Sequence, residues 1–313
     1  MANLKAKKSA KSAQIDTAPK MTVAERVTQA ILAQIESGTR PWVKPWQAGD
    51  MSFGMPLRSN GKPYRGINTL LLWAAATQHG FQSPYWLTFK GAIDAGGAVR
   101  KGEKGTWIVF YGVAGKKDES EDDDAKPDFA RLFAKTYYVF NADQCDGLPE
   151  TFALTHDKPA TTGPRPDLEA LFAKLGADVR HGGNRAYNTD AGNYIQMPYP
   201  SDFKSPEQYY ATLAHEVAHW TGAPCRLNRV KGQRFGDERY AFEELVAELT
   251  SAFLGAHLGL PVDHIESHAS YIKGWAQCLK EHSSAIISAA SQAQKACDYI
   301  LKGMGLDIDG GDA

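Results

Sequence analysis

The sequence predicts an α+β protein of two domains, an α+β front domain and a mainly helical back domain, and three observations carry that reading. At 313 residues the chain is long enough for two domains with proper cores. Its charge is divided: residues 1–113 carry 15 Lys or Arg against 6 Asp or Glu, a net +9, and the remainder carries 20 against 30, a net −10. Between the two predicted domains, Leu148 to Pro166 holds four prolines and few large apolar residues after Phe152, which places a linker at residues 151–166.

Composition narrows the classes. With 43% hydrophobic and 23% charged residues the chain is an ordinary soluble one. Its longest apolar run, Leu70 to Ala76, is too short to span a bilayer, and no hydrophobic signal segment opens the sequence, so no membrane partner is expected. Cys145, Cys225, Cys278 and Cys297 are widely spaced and form no CxxC. They read as reduced thiols of a cytoplasmic protein rather than as a disulfide framework or a zinc knuckle.

Residues 1–20, rich in Lys, Ala and Ser, read as a disordered basic arm. Thr22 to Glu25 forms a capping box, and the helix it opens carries Val23, Val27, Ile31 and Ile35 on one face until Gly38. Pro41 and Pro45 hold the next segment extended, with Lys44 between Trp42 and Trp46. Two readings fit it: aromatic platforms for unpaired bases with a phosphate contact alongside, or a Trp-Pro cluster that pins the helix to its domain.

A glycine-rich basic loop, Arg58 to Asn68, follows and contributes Tyr64, Arg65 and Asn68 as candidate contacts before a helix that starts near Asn68. Lys90, Arg100, Lys101 and Lys104 add cations beside aromatic residues and glycines, a pattern in which backbone amides can approach phosphates. Helix-turn-helix and Cys/His finger signatures are absent, which favours single-stranded nucleic acid over duplex. Trp73, Trp86 and Trp107 read as core, Trp107 to Tyr111 as a buried strand and Phe133 to Phe140 as the strand that returns. The acidic loop between them, 115–127, cannot pack and is solvated. This front domain covers residues 21–150.

The back domain, 167–303, opens with a short amphipathic helix at Asp167 and a hairpin formed by Arg185 to Asn188 and Asn193 to Pro198; residues 304–313 are a tail. Ser205, Pro206 and Gln208 then signal a helix start, and Gly222 offers a stop. Inside that helix lies His215-Glu216-Val217-Ala218-His219. Two histidines four apart share one face, so both imidazoles can reach one ion: the HExxH zinc arrangement. An ion held by three protein ligands keeps a position for water and lowers its pKa toward about 7, and Glu216 can take the proton as general base.

A third ligand is expected downstream, where Phe242, Leu245, Val246, Leu249 and Phe253 mark a helix. Glu244 is read as the metal ligand and Glu248 as the carboxylate that orients a ligating histidine, with the reverse choice open; Glu243 is read as exposed. Tyr271 to Leu301 reads as one long helix with Tyr271, Trp275, Leu279 and Ile286 inward. His257, His264 and His268 are possible electrophilic helpers, and nothing in the sequence selects among them.

Together these stretches resemble the ArdC-type antirestriction proteins of conjugative plasmids, and the front domain is also similar to the N-terminal part of TraC-type plasmid primases. In front, the resemblance rests on Trp42 to Trp46, Tyr64 to Asn68, Trp86 to Lys90, Val99 to Gly105 and Val139 to Gln144. Behind, it rests on Ile195 to Pro198, Leu213 to Gly222, Arg226-Leu227 and Glu243 to Glu248. It implies an N-terminal single-stranded-DNA-binding domain, a C-terminal zincin-like metallopeptidase domain of the glutamate-ligand (gluzincin) type, and protection of incoming plasmid DNA from host restriction. The implied cofactor is Zn2+, with Mn2+ as the alternative. Expected partners are single-stranded DNA and a protein substrate such as a host restriction component. A contrasting reading makes the chain a non-enzymatic coat for single strands, its metal merely structural.

Overall fold

The computed structural model describes residues 21–37, 42, 54–113, 132–153, 165–189, 191–229, 238–260 and 269–306. The basic arm, the acidic loop, Lys44, Trp46, His264, His268, most of the linker and most of the tail lie outside the described residues.

In the front half, α1 (Val23–Glu36) begins as its capping box requires: the Thr22 hydroxyl accepts from the Glu25 amide at 3.2 Å, and Glu25 Oε2 accepts from the Thr22 amide at 2.7 Å. β1 (Leu57–Arg58) leads to α2 (Ile67–His79), whose N-cap, Gly66, has φ 56° and ψ −129°, a conformation that disfavours any side chain. β2 (Tyr85–Leu87), α3 (Phe89–Asp94), β3 (Ala98–Val99), β4 (Thr106–Val113), β5 (Leu132–Asn141) and β6 (Cys145–Asp146) complete the half. The main sheet runs β1-β2-β5-β4, with β1 parallel to β2 and the other pairs antiparallel; β3 and β6 form a small ribbon.

Since β4 is the sheet edge, the expected buried strand is buried only at Val109. Phe110 and Tyr111 are 36% and 43% exposed, and Tyr137 and Tyr138 on β5 are 47% and 56% exposed. Of the three tryptophans expected in the core, Trp86 is fully buried in a cluster of the front half, whereas Trp73 and Trp107 are half-buried against the main core. The Arg26 guanidinium covers Trp107 at 4.9 Å.

The back half contains α4 (Pro166–Ala173), β7 (Asp178–His181), β8 (Tyr187–Thr189), β9 (Tyr194–Met197), α5 (Pro206–Thr221), α6 (Glu238–Leu258), α7 (Ala269–Glu281) and α8 (Ala285–Gly303). The predicted hairpin is β8 against β9, and β7, not foreseen, pairs parallel with the other side of β9. The long helix expected from Tyr271 to Leu301 is two helices. The chain breaks at His282 to Ser284, and the Ser283 carbonyl, released from helical pairing, accepts from the Thr28 hydroxyl of α1 at 2.6 Å.

That bond belongs to a larger contact, for one hydrophobic core runs through both halves. Val27, Ile31 and Ile35 of α1 and Ile67, Leu70 and Leu71 of α2 cluster with Trp275, Leu279, Ile286, Ala289, Ala290 and Ala293 of α7 and α8. Full burial of each large aliphatic side chain contributes roughly 1.5–3 kcal/mol. The polar loop before α2 fastens the same joint: the Gly66 amide donates to Gln294 Oε1 at 2.9 Å, Arg65 pairs with Asp298, and Gln294 donates to Asp298 at 3.0 Å.

Candidate metal centre

The centre is built on α5 and α6. The Ser205 hydroxyl accepts from the Gln208 amide at 3.3 Å with Pro206 in the first turn, so α5 starts where the sequence signals it. Leu213, Ala214, Val217 and Ala218 are buried, which anchors the helix and fixes the directions of the remaining side chains. His215 and His219 then present their Nε2 atoms 3.2 Å apart.

Glu244 reaches the same point from α6. Its Oε2 is 3.7 Å from His215 Nε2, and its Oε1 is 3.5 Å from His219 Nε2. Tetrahedral donors with bonds of about 2.0–2.1 Å lie about 3.4 Å from one another. Three nitrogen and carboxylate donors at 3.2, 3.5 and 3.7 Å therefore fit a divalent cation between them.

Electrostatics agree with that fit. Burial opposes a charged His219, but Glu244 and Glu243 outweigh it and push its pKa up to about 10. Burial likewise opposes a charged Glu244, yet the two histidines hold its carboxyl well below the usual range. These donors demand a positive charge among them, whether a proton or a cation. Glu216 behaves differently: burial raises its pKa, the histidines pull it back only in part, and the backbone N–H of Asn188 on β8 donates to it.

Behind each imidazole stands another carboxylate. Glu243, expected to be exposed, is only 4% exposed, with Oε1 3.4 Å from His219 Nδ1. Arg229 grips it twice, Nη2 to Oε1 at 2.7 Å and Nε to Oε2 at 3.1 Å, and also donates to Thr221 Oγ1 and the Ala218 carbonyl, both at 2.7 Å. Burial works against the Glu243 carboxylate, but His219 and Arg229 lower its pKa to about 2. Glu248 places Oε2 3.9 Å from His215 Nδ1 and accepts from Trp42 Nε1 at 3.3 Å. His257, at the end of α6, is away from this group; burial lowers its pKa, with Asp298 and Arg65 as its charged neighbours. A cavity of about 650 Å³ lies behind α5, lined by Phe172, Phe203, Tyr209, Leu213 and Val217, and does not include the histidine pair.

The candidate nucleic-acid contacts are scattered rather than gathered. Trp42 is 2% exposed and cannot serve as a stacking platform; its ring meets Trp275 of the back half edge-on. Tyr64 is buried with its hydroxyl donating to the Trp86 carbonyl at 3.3 Å. Arg65 is spent on Asp298, and Asn68 on the backbone of Val109. These are corrections: the loop that reads as a phosphate cradle is the clamp between the halves. Arg100 is exposed but paired with Glu103 at 3.0 Å and Asp146 at 3.5 Å. Lys90, Lys101 and Lys104 are exposed and make no ion pair among the described residues.

The aromatic surface that sequence reasoning did not select lies beside those lysines. Phe89, 57% exposed, meets Phe140 edge-on at 6.3 Å. The Cα of Gly105 lies against Tyr138 and Phe140 so closely that a Cβ there would sit 3.1 Å and 3.2 Å from their atoms. Tyr137 and Phe110 form a second edge-on pair at 6.1 Å. The only sequence signal was the run of aromatic residues in the β4–β5 hairpin, which core packing explains as readily.

Residues 166–292 match the family described as a zincin-like metallopeptidase, and residues 21–140 match the N-terminal domain of anti-restriction factor ArdC. Among curated proteins, the DNA primase TraC of Escherichia coli is 37% identical over 294 residues, 88% of this chain; the match spans only 27% of that primase's length. The uncharacterised protein y4eC of Sinorhizobium fredii (strain NBRC 101917 / NGR234) is 39% identical over 285 residues, covering 88% of this chain and 90% of that one. Two crystal structures of the antirestriction ArdC protein from the R388 plasmid are similar over 91% of this chain and 98% of theirs. The metal-free form has a TM-score of 0.77 at 44% identity, and the Mn(II)-bound form 0.75 at 42%.

Proposed function

The chain belongs to the ArdC antirestriction family, and on that premise we propose that it is a single-stranded-DNA-binding metallopeptidase that protects incoming conjugative plasmid DNA from host restriction. The observation that carries the enzymatic part is the convergence of His215 Nε2, His219 Nε2 and Glu244 at 3.2–3.7 Å. In this reading those three hold Zn2+ or Mn2+, which when bound polarises a peptide carbonyl and acidifies water. Glu216 accepts the proton and returns it to the leaving amine. Burial suits it to that exchange, because a carboxylate with a raised pKa takes a proton from water more readily than an exposed one and holds it near neutral pH until the amine accepts it. The Asn188 amide keeps its carboxylate oriented. β8 is the edge of its sheet, and an extended peptide could add to it as a further strand.

DNA binding is assigned to the face formed by exposed Phe89 and Tyr138, backed by half-buried Phe140, with Lys90, Lys101 and Lys104. Aromatic rings offer bases of any sequence a stacking surface while lysines neutralise the backbone. This confines the peptidase to proteins on or near entering single strands, of which a host restriction component is one.

Glu216→Gln in the full chain, compared with wild type, tests the enzymatic part by Mn2+ and Zn2+ titration and by plasmid transfer into a restricting host. Retained cation binding with lost protection supports hydrolysis. Retained binding with unchanged protection favours the single-strand coat with a structural metal. In parallel, Lys101→Glu/Lys104→Glu should flatten the salt dependence of single-strand binding by about 0.7 per lost contact. An unaltered slope would remove those lysines from the interface.

A further inference from the structure

The two carboxylates behind the histidines are held from different halves of the chain. Glu243, behind His219, is gripped by Arg229, which lies shortly after α5 in the same half. Glu248, behind His215, accepts from the indole N–H of Trp42, which follows α1 in the front half. Trp42 is buried and sits edge-on against Trp275 at 5.8 Å and 65°, so packing fixes where its N–H points.

We propose that Trp42 is a positioning residue of the metal centre: its indole N–H sets the rotamer of Glu248, and Glu248 sets the ring plane of His215. The inference rests on the reading of His215, His219 and Glu244 as cation ligands. An imidazole that ligates through Nε2 needs an acceptor for its Nδ1–H, which fixes both tautomer and orientation. Among the described residues His215 Nδ1 is buried without a hydrogen-bond partner, and Glu248 Oε2 faces it at 3.9 Å, close enough for a modest ring rotation to close the bond. Glu248 is one helical turn beyond Glu244, so the donor carboxylate and the orienting carboxylate share one face of α6. One histidine is thus oriented from within the back half and the other from the front half.

The test uses the full chain with Trp42→Phe, which keeps an aromatic ring against Trp275 and removes the N–H along with part of the indole's volume, a loss for which a core control is run in parallel. Titration with Mn2+ and Co2+, together with the visible spectrum of the Co2+ form, is the readout. Cation affinity should fall about tenfold and the Co2+ bands should shift; Glu248→Gln should do the same, and the double variant should be no worse than the poorer single one. Ile31→Val, in the same core but apart from the carboxylate, should lose stability and keep wild-type affinity. Affinity within about twofold of wild type with an unshifted Co2+ spectrum, or fully additive losses in the double variant, overturns the proposal. A wild-type chain that binds neither cation sinks this inference together with the ligand assignment. If it binds them and cleaves no peptide, only the peptidase reading falls, and the Trp42→Phe comparison still decides the positioning role.

Discussion

Arg229 carries more of the metal centre than its position in the sequence suggests. Its guanidinium and the Glu243 carboxylate each have side chains only 5% exposed, so neither charge can be satisfied by water if the other is removed. Arg229→Ala is therefore expected to destabilise the protein by about 3–5 kcal/mol in urea unfolding, and Arg229→Lys to recover only part of this, because an ammonium cannot reproduce the two-pronged contact. The pair also sets an acid limit. The folded pKa of Glu243, about 2, lies below the ordinary 4.5, so its contribution is complete above 4.5 and is lost as pH falls toward 2; Arg229→Ala should flatten the acid limb of the stability curve in that window. His215, Glu216 and His219 were legible because helical spacing alone puts them together. Arg229 was not, since it sits in an aperiodic loop. Glu243 was misread because a helix with adjacent glutamates does not say how many of them are buried.

Among the elements, the β4–β5 hairpin depends on a side chain that imitates a strand. Asn68 donates to the Val109 carbonyl and accepts from the Val109 amide, both at 2.8 Å, and so pairs the outer edge of β4 as a neighbouring strand would. Asn68→Ala should cost about 1–3 kcal/mol. Hydrogen exchange should speed up at the Val109 amide while the β4 amides bonded to β5 stay protected, and an unchanged Val109 rate would refute the strand-like role. Helices α1, α2, α4, α5 and α6 and this hairpin were readable from apolar spacing and capping signals, whereas α3 was not read. The edge status of β4 was not, because Phe110 and Tyr111 look the same in a sequence whether they face core or solvent. The break between α7 and α8 was hidden by Trp275, Leu279 and Ile286, which keep a helical phase across it. β7, with Val179 its only apolar residue, gave almost no strand signal.

Over the whole molecule, the family match changes near the predicted linker, but the hydrophobic core does not divide there. Linker composition reports which chain segment is solvated; it says nothing about what the helices on either side bury against. The full chain should accordingly unfold in one calorimetric transition with equal van't Hoff and calorimetric enthalpies, and residues 21–153 alone should melt without a cooperative transition. Two separate transitions, or a cooperatively folded excised half, would show that the joint adds little. The shared core also bears on how such a chain can be inherited. Recombination that moved the back half alone onto a new partner would carry an uncovered α8 face and leave α1 without its bed. The seam that looks like a cut point in the sequence is thus a poor one for exchange, and the two halves are expected to travel between genomes as a single cassette.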